Sequence, residues 1–251
     1  MGRNWTKDEE ILALALYCKV PFGKIHSGNP LVKELASMLE RTPSSVSMKM
    51  CNLARFDPML QARGVGGLKN GSRLDEEVWK EYSMNLEALE KVSKGICRSY
   101  GVSDATIEEV FDLPSGDEIE RIVKSRVNQN FFRKTVLTSY ESTCCITGID
   151  VPALLNASHI KPWKDSDPLT ERTNPQNGLC LNALHDKAFD RGLITIDSDY
   201  RVVLSTRLKD EYASDIISEY FCKYEGMQIR LPHRFLPSQK FISFHNEYVF
   251  K

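Results

Sequence analysis

No stretch of the chain comes near the roughly 18 consecutive apolar residues that cross a bilayer, and the opening residues Met1 to Lys7 lack the apolar core of an export signal. A membrane-spanning or secreted protein is therefore not expected, and the reading is cytoplasmic. Net charge is also missing: 33 Lys and Arg face 34 Asp and Glu, so no overall cationic field announces a polyanionic partner. Seven cysteines without regular spacing, in a chain without an export signal, imply reduced thiols and no disulfide framework. Internal repeats and low-complexity tracts are absent. What is present is 251 residues with 41% hydrophobic and 27% charged side chains, enough for one large or two modest cores in a globular protein.

The charge balance becomes informative once it is divided along the chain. Residues 1–70 hold 10 basic against 6 acidic residues, and residues 71–116 hold 5 against 10. Between Arg121 and Lys134 stand Arg121, Lys124, Arg126, Arg133 and Lys134 with no acidic residue among them. Basic surface concentrated in this way suits phosphate contacts, although a charge run is also what an ordinary solvated helix face presents.

The first segment has the grammar of helices. Thr6 with Glu9 three residues on predicts a capping box, and Ile11, Leu14, Ala15 and Cys18 follow at helical spacing. Asn29-Pro30 and Thr42-Pro43 each predict a cap and first-turn proline. The third helix directs Val46, Met50 and Leu53 inward, which leaves Ser45, Lys49 and Asn52 as candidate DNA contacts. The short Glu40-Arg41-Thr42 connection makes the last two helices resemble a helix-turn-helix, with Glu40 where glycine is favoured, and the opening helix resembles that of a Myb-like unit. In a helix-turn-helix the second helix enters the major groove. A three-helix packing module without DNA contact remains the plainer alternative.

Gly64, Gly66, Gly67 and Gly71 mark a boundary near residue 70. An amphipathic helix over residues 75–90 is then expected within a helical linker, residues 71–116. Residues 117–140 read as one long helix or two, with Phe131 and Phe132 as core and Arg126, Gln129, Arg133 and Lys134 recurring at intervals that could line one face against nucleic acid. Beyond it, shorter β-branched runs predict strands at residues 145–147, 154–160, 178–181 and 193–196, and in the tail at 201–204 and 241–244, with a helix over 209–220. The expected fold class is α+β.

Histidine is scarce, only five in the chain, and two fall in one frame. Ala157-Ser158-His159-Ile160, then Asn174-Pro175-Gln176-Asn177-Gly178, then His185-Asp186-Lys187-Ala188-Phe189-Asp190-Arg191-Gly192 together resemble the HNH endonucleases, and among them the restriction-endonuclease branch. The resemblance covers roughly residues 117–200. It implies a C-terminal nuclease domain of ββα-metal type over residues 117–251, behind the helical module of residues 1–70. It also implies a metal-dependent enzyme that cuts double-stranded DNA, in restriction or host defence, as a homodimer or by sequential nicking. The alternatives kept open are a catalytically inactive DNA-binding regulator and a nuclease acting on RNA or structured DNA.

The chemistry supports the same frame. Water attacks a phosphodiester anion poorly, so hydrolysis needs a base for the water and a cation for charge on the phosphoryl and leaving oxygens. His159, at the end of an expected strand, can be a neutral base near pH 7. The resemblance assigns Asn177 to bracing the loop of the base. For the metal, the family's usual ligand positions counted from Asn177 fall on Asp186 and Asp190, and His185 lies one residue early. Two arrangements follow: His185 as ligand, which is the preferred one, or Asp186 and Asp190 holding Mg²⁺ with His185 on phosphate. Open oxygen-donor positions suit Mg²⁺ or Mn²⁺. Some relatives carry a zinc between two Cys-x-x-Cys pairs; no such pairs occur here, so a structural zinc is not expected. Lys161, Trp163 and Lys164 complete the candidates, with Lys161 expected on a flanking phosphate. His233 and His245 are read as structural or surface residues.

Overall fold

The computed structural model describes residues 3–64, 72–102, 120–210 and 214–251, and in residues 120–129 the backbone alone. Its contacts divide the chain into two units, Met1–Thr138 with Thr173–Pro175, and Ser139–Arg172 with Gln176–Lys251.

The first unit is helical. Helix α1 (Lys7–Lys19) starts at a capping box, in which Thr6 Oγ1 accepts from the Glu9 N–H and the Glu9 carboxylate accepts from the Thr6 N–H. Every residue from Glu9 to Lys19 is buried, far more than the single apolar stripe predicts. The reason is that α2 (Pro30–Met38), α3 (Pro43–Ala54), α5 (Arg73–Tyr82) and α6 (Leu86–Ser99) all pack on α1, and a helix enclosed all round has no solvent face to leave polar. Asn29 and Thr42 cap α2 and α3 as their sequences predict. Short α4 (Pro58–Ala62) is capped by Asp57. Between α2 and α3, Glu40 takes φ 51°, and the Arg41 N–H closes the turn on the Ala36 carbonyl at 2.9 Å.

The expected break near residue 70 is not where the chain divides. Helices α5 and α6 bury Val78, Trp79, Leu86 and Leu89 within the helical unit, so residues 72–102 are part of its core and do not act as a spacer. They are also two helices, because Asn85 caps a new start by accepting from the Ala88 N–H. The glycines Gly66, Gly67 and Gly71 and the rest of the expected linker, residues 103–116, lie outside the described residues. Helix α7 (Glu120–Ser139) matches the long helix expected, with Phe131 and Phe132 buried.

The second unit is mixed. Strands β1 (Leu155–His159) and β2 (Gly178–Asn182) pair antiparallel, with Leu155 opposite Asn182 and His159 opposite Gly178. Helix α8 (Ala183–Asp190) follows β2 immediately, and Asn182 Oδ1 caps it by accepting from the N–H groups of Leu184 and His185. Strands β3 (Ile194–Ile196) and β4 (Val202–Leu204) form a second antiparallel pair. The tail holds α9 (Thr206–Asp210), α10 (Asp215–Tyr220) and α11 (Gln239–Tyr248).

Several expectations for this unit are corrected. The run Cys145 to Thr147 lies in a turn closed by the Cys144 N–H on the Ile149 carbonyl at 2.7 Å. The single helix expected over 209–220 is α9 and α10, with residues 211–213 outside the described residues. Residues 241–244 are helical because Phe241, Ile242 and His245 share an inward face at helical spacing. His245 stacks on Phe189 at 3.8 Å and pairs with Thr195 Oγ1 and the Phe189 carbonyl. Among the described residues no helix is long and apolar enough to cross a membrane.

Candidate active site

His159 ends β1, and its orientation comes from the loop that joins β1 to β2. Its Nε2 lies 2.8 Å from the Arg172 carbonyl oxygen. A carbonyl only accepts, so Nε2 carries the proton and the neutral ring has its lone pair at Nδ1. Trp163 meets the ring edge to face at 5.5 Å. Burial pulls the His159 pKa below its usual value, while the Arg172 carbonyl and the Asp186 carboxylate oppose that pull. The imidazole is therefore neutral at pH 7, as a base must be, and Asp186 is close enough to act on it electrostatically.

The loop is held from within. Asn177, fully buried, accepts from the Lys161 N–H at 2.8 Å through Oδ1, and its amide nitrogen lies within reach of the Lys161 carbonyl, Ser166 Oγ and the Glu171 carbonyl. One side chain thus ties three points of the loop together just before β2 begins. Arg172 adds two more ties, from Nε to the carbonyls of Trp163 and Ser166, both at 3.2 Å.

Helix α8 presents its two expected kinds of ligand on different faces. The Asn182 cap sets the helix phase, and Asp186 and Asp190, four residues apart, then fall on one side. Asp186 accepts from Asn156 Nδ2 at 2.8 Å, which ties it to β1. Burial first, and then the like charge of Asp186, pushes the Asp190 carboxyl upward. His185 is turned elsewhere. Its residue is 2% exposed, Nδ1 donates to Asn182 Oδ1 at 3.1 Å, and its ring packs on Phe221 at 4.9 Å and Tyr224 at 5.7 Å. Burial takes its pKa down to about 4. His185, the preferred ligand of the sequence reading, is thus a buried histidine with Nδ1 held by the Asn182 cap and Nε2 without a hydrogen-bond partner among the described residues. Asn182, the last residue of β2, is also the helix cap, and counting from it separates residue 185 from residues 186 and 190.

The test of a metal is the donor chemistry that remains. Among the described residues no group of three or more His, Cys, Asp or Glu side chains is placed to hold an ion. Asp186 and Asp190 are hard oxygen donors whose mutual repulsion a cation would relieve, and Mg²⁺ keeps several waters when bound by one or two carboxylates. The residues fit a sparse divalent site of that kind. Ser158, immediately before the base, has a buried Oγ that is unpaired. Cys144, Cys145 and Cys180 are buried and form no disulfide, and burial first raises the Cys145 thiol well above its usual value.

The expected nucleic-acid contacts separate. Lys49 and Asn52 are 6% and 8% exposed, and the Lys49 ammonium sits between Glu10 at 2.9 Å and Asp75 at 2.5 Å. They are core residues of the helical unit and cannot read base edges. The open face of α3 consists of Ser44, Ser45, Ser47, Met48 and Cys51, with no cation on it. Lys161 is turned to Glu171 at 2.6 Å, its side chain 15% exposed, so its charge is already matched. Arg133 and Lys134 are half-buried, and the side chains of Arg126 and Gln129 lie outside the described residues. Sequence reading also passed over Glu171, Arg172 and Lys240, because nothing in their local pattern shows that they meet.

Residues 144–197 match the family model described as HNH endonuclease. That stretch runs from the Cys144 turn through His159, Asn177 and α8 to β3, nearly all of it in the second unit, and is similar to HNH endonuclease domains. No curated protein was found to match the chain.

Proposed function

We propose that the protein is a metal-dependent HNH endonuclease that hydrolyses phosphodiester bonds of double-stranded DNA in restriction or host defence. The observation that carries this reading is the His159 imidazole, neutral and fixed by the Arg172 carbonyl with its lone pair at Nδ1, within the electrostatic reach of Asp186. His159 takes the proton from the attacking water. Asn177 keeps the loop of the base in place, and Asn156 orients Asp186. Asp186 and Asp190 would hold Mg²⁺ or Mn²⁺, and a bound cation of this kind neutralises charge on the phosphoryl and leaving oxygens. The defence role rests on the likeness of Ala157 to Ile160 and Phe189 to Leu193 to restriction enzymes. One such site cuts one strand, so a double-strand break calls for a homodimer on a symmetric target or for two successive nicks.

A supercoiled plasmid incubated with the protein and Mg²⁺ or Mn²⁺ is expected to be nicked or linearised, and EDTA is expected to stop the reaction. His159→Ala should lower kcat by about 10²- to 10⁴-fold while a gel shift on the same DNA is retained. Wild-type cleavage by His159→Ala would overturn the assignment of the base. A gel shift without cleavage in any buffer would make the protein a DNA-binding regulator, and stronger competition by single-stranded DNA or RNA would move the substrate away from duplex DNA.

A further inference from the structure

The carbonyl that orients His159 belongs to a residue whose neighbour, Glu171, is a carboxylate held by three donors. Glu171 is buried, and it accepts from Lys161 Nζ at 2.6 Å, Lys240 Nζ at 2.5 Å and the Asp167 N–H at 3.0 Å. Burial alone would raise its pKa; these three donors outweigh burial and hold it down to about 2. The Glu171 carbonyl is also reached by the Asn177 amide at 3.3 Å. Glu171 is thus gripped at its side chain and at its backbone, and the next carbonyl along, that of Arg172, has little freedom to turn.

One of the three donors comes from far away in the chain. Lys240 lies in the first turn of α11, and α11 is drawn to the same loop by the Ser238 N–H on the Gln176 carbonyl at 3.1 Å and by Phe244, whose ring lies 4.9 Å from Lys161 Nζ. Lys240 is 69% exposed at its side chain, so its ion pair adds little to stability, where solvent screens it. Its placement matters for a different reason, because it completes the charge around Glu171.

We propose that Glu171 and Lys240 are positioning residues for the base: through the Arg172 carbonyl they hold the His159 ring in its Nε2–H tautomer, and the C-terminal helix thereby forms a working part of the nuclease site. This inference rests on His159 being the base. Partners one step removed from a reacting group commonly affect activity on the order of 10- to 100-fold, and a neutral imidazole with the proton on the wrong nitrogen cannot accept one from water at Nδ1.

The test uses the full-length protein with ¹⁵N-labelled histidine, and reads the His159 ring nitrogens by long-range ¹H–¹⁵N spectra beside plasmid-cleavage kinetics. Wild-type protein should show one tautomer, protonated at Nε2. Lys240→Gln, at an exposed position that folding tolerates, and Glu171→Gln should both show a mixture of tautomers. Their kcat should fall by about 10-fold with KM unchanged, and Lys240→Arg should restore both readings. A single Nε2–H tautomer in folded Lys240→Gln and Glu171→Gln overturns the proposal, whatever the rates. A change in KM alone also overturns it, since that marks Lys240 as a phosphate contact. A mixed tautomer with wild-type kcat leaves the positioning intact and shows that His159 is not the base, so the two failures are distinct.

Discussion

Two buried ion clusters, one in each unit, differ in what their charges hold together. In the helical unit, Lys49 of α3 lies between Glu10 of α1 and Asp75 of α5, and Arg55 stands 3.7 Å from Asp75. That cluster pins three helices. In the nuclease unit, Glu171 lies between Lys161 and Lys240, one residue from the carbonyl that orients His159. The first sets two cations against two carboxylates and the second sets two cations against one, and the second adjoins the proposed base. A buried ion pair by itself therefore says little about function; what it is bonded to next decides.

Acid should cost the second unit more stability than the helical unit, and this is the largest effect expected. His185 and His245 are both held near a pKa of about 4 by burial, against about 6.5 when unfolded. Their contribution is fully present above pH 6.5 and is lost as pH falls toward 4, at about 2–3 kcal/mol each. Glu171, held to about 2, extends the loss below pH 4.5. In the helical unit burial raises Glu10 and Glu90, so their contribution is present below their unfolded pKa and is lost as pH rises, which offsets Glu9, where burial is outweighed by Arg41 and the Thr6 N–H and the carboxyl is lowered. Hydrogen exchange followed by mass spectrometry from pH 7 to 4 should therefore show peptides of α8 and α11 losing protection before those of α1 and α3. Simultaneous loss would break the contrast.

Removing the central cation tests the helical cluster alone. Lys49→Met leaves Glu10 and Asp75 as buried carboxylates without their shared partner, which should cost about 3–5 kcal/mol. Chemical denaturation followed at Trp79, on the buried face of α5, measures it. A loss under about 1 kcal/mol would place Lys49 at a screened surface position, where a role in binding DNA could be restored to it.

How much of this could be read from the chain depends on how far apart the interacting residues lie. The capping box at Thr6 and the caps at Asn29 and Thr42 involve residues two or three apart, and the structure has them as read. The order of His159, Asn177 and α8 was legible for the same reason, as a spacing. The burial of Lys49 was not, because its partners are 39 and 26 positions away; on α3 alone it sits at the margin of the apolar stripe. The partnership of Lys240 with Glu171 spans 69 positions. Residues 241–244 were misread as a strand because two phenylalanines flanking Ile242 and Ser243 are compatible with either period, and only His245 against Phe189 and Thr195 decides.

The smallest predicted effect contrasts two left-handed turns. In the nuclease unit, α8 ends at Gly192 with φ 68°, and a Cβ there would lie 2.0 Å from the Val249 carbonyl oxygen, so glycine is required by space as well as by conformation. In the helical unit the corresponding position after α2 is Glu40, exposed, at φ 51°, where a residue with a Cβ is strained by about 1–2 kcal/mol. Glycine would relieve that strain, and its greater freedom in the unfolded chain gives back about 0.5–1 kcal/mol. Glu40→Gly should therefore stabilise the helical unit by about 0.5 kcal/mol, seen as a small rise in its denaturation midpoint, while Gly192→Ala should destabilise the nuclease unit. If Glu40→Gly lowered the midpoint, the Glu40 side chain would have to be stabilising the α2 to α3 turn by more than its backbone strain, and the likeness of that turn to a glycine-type helix end would fail.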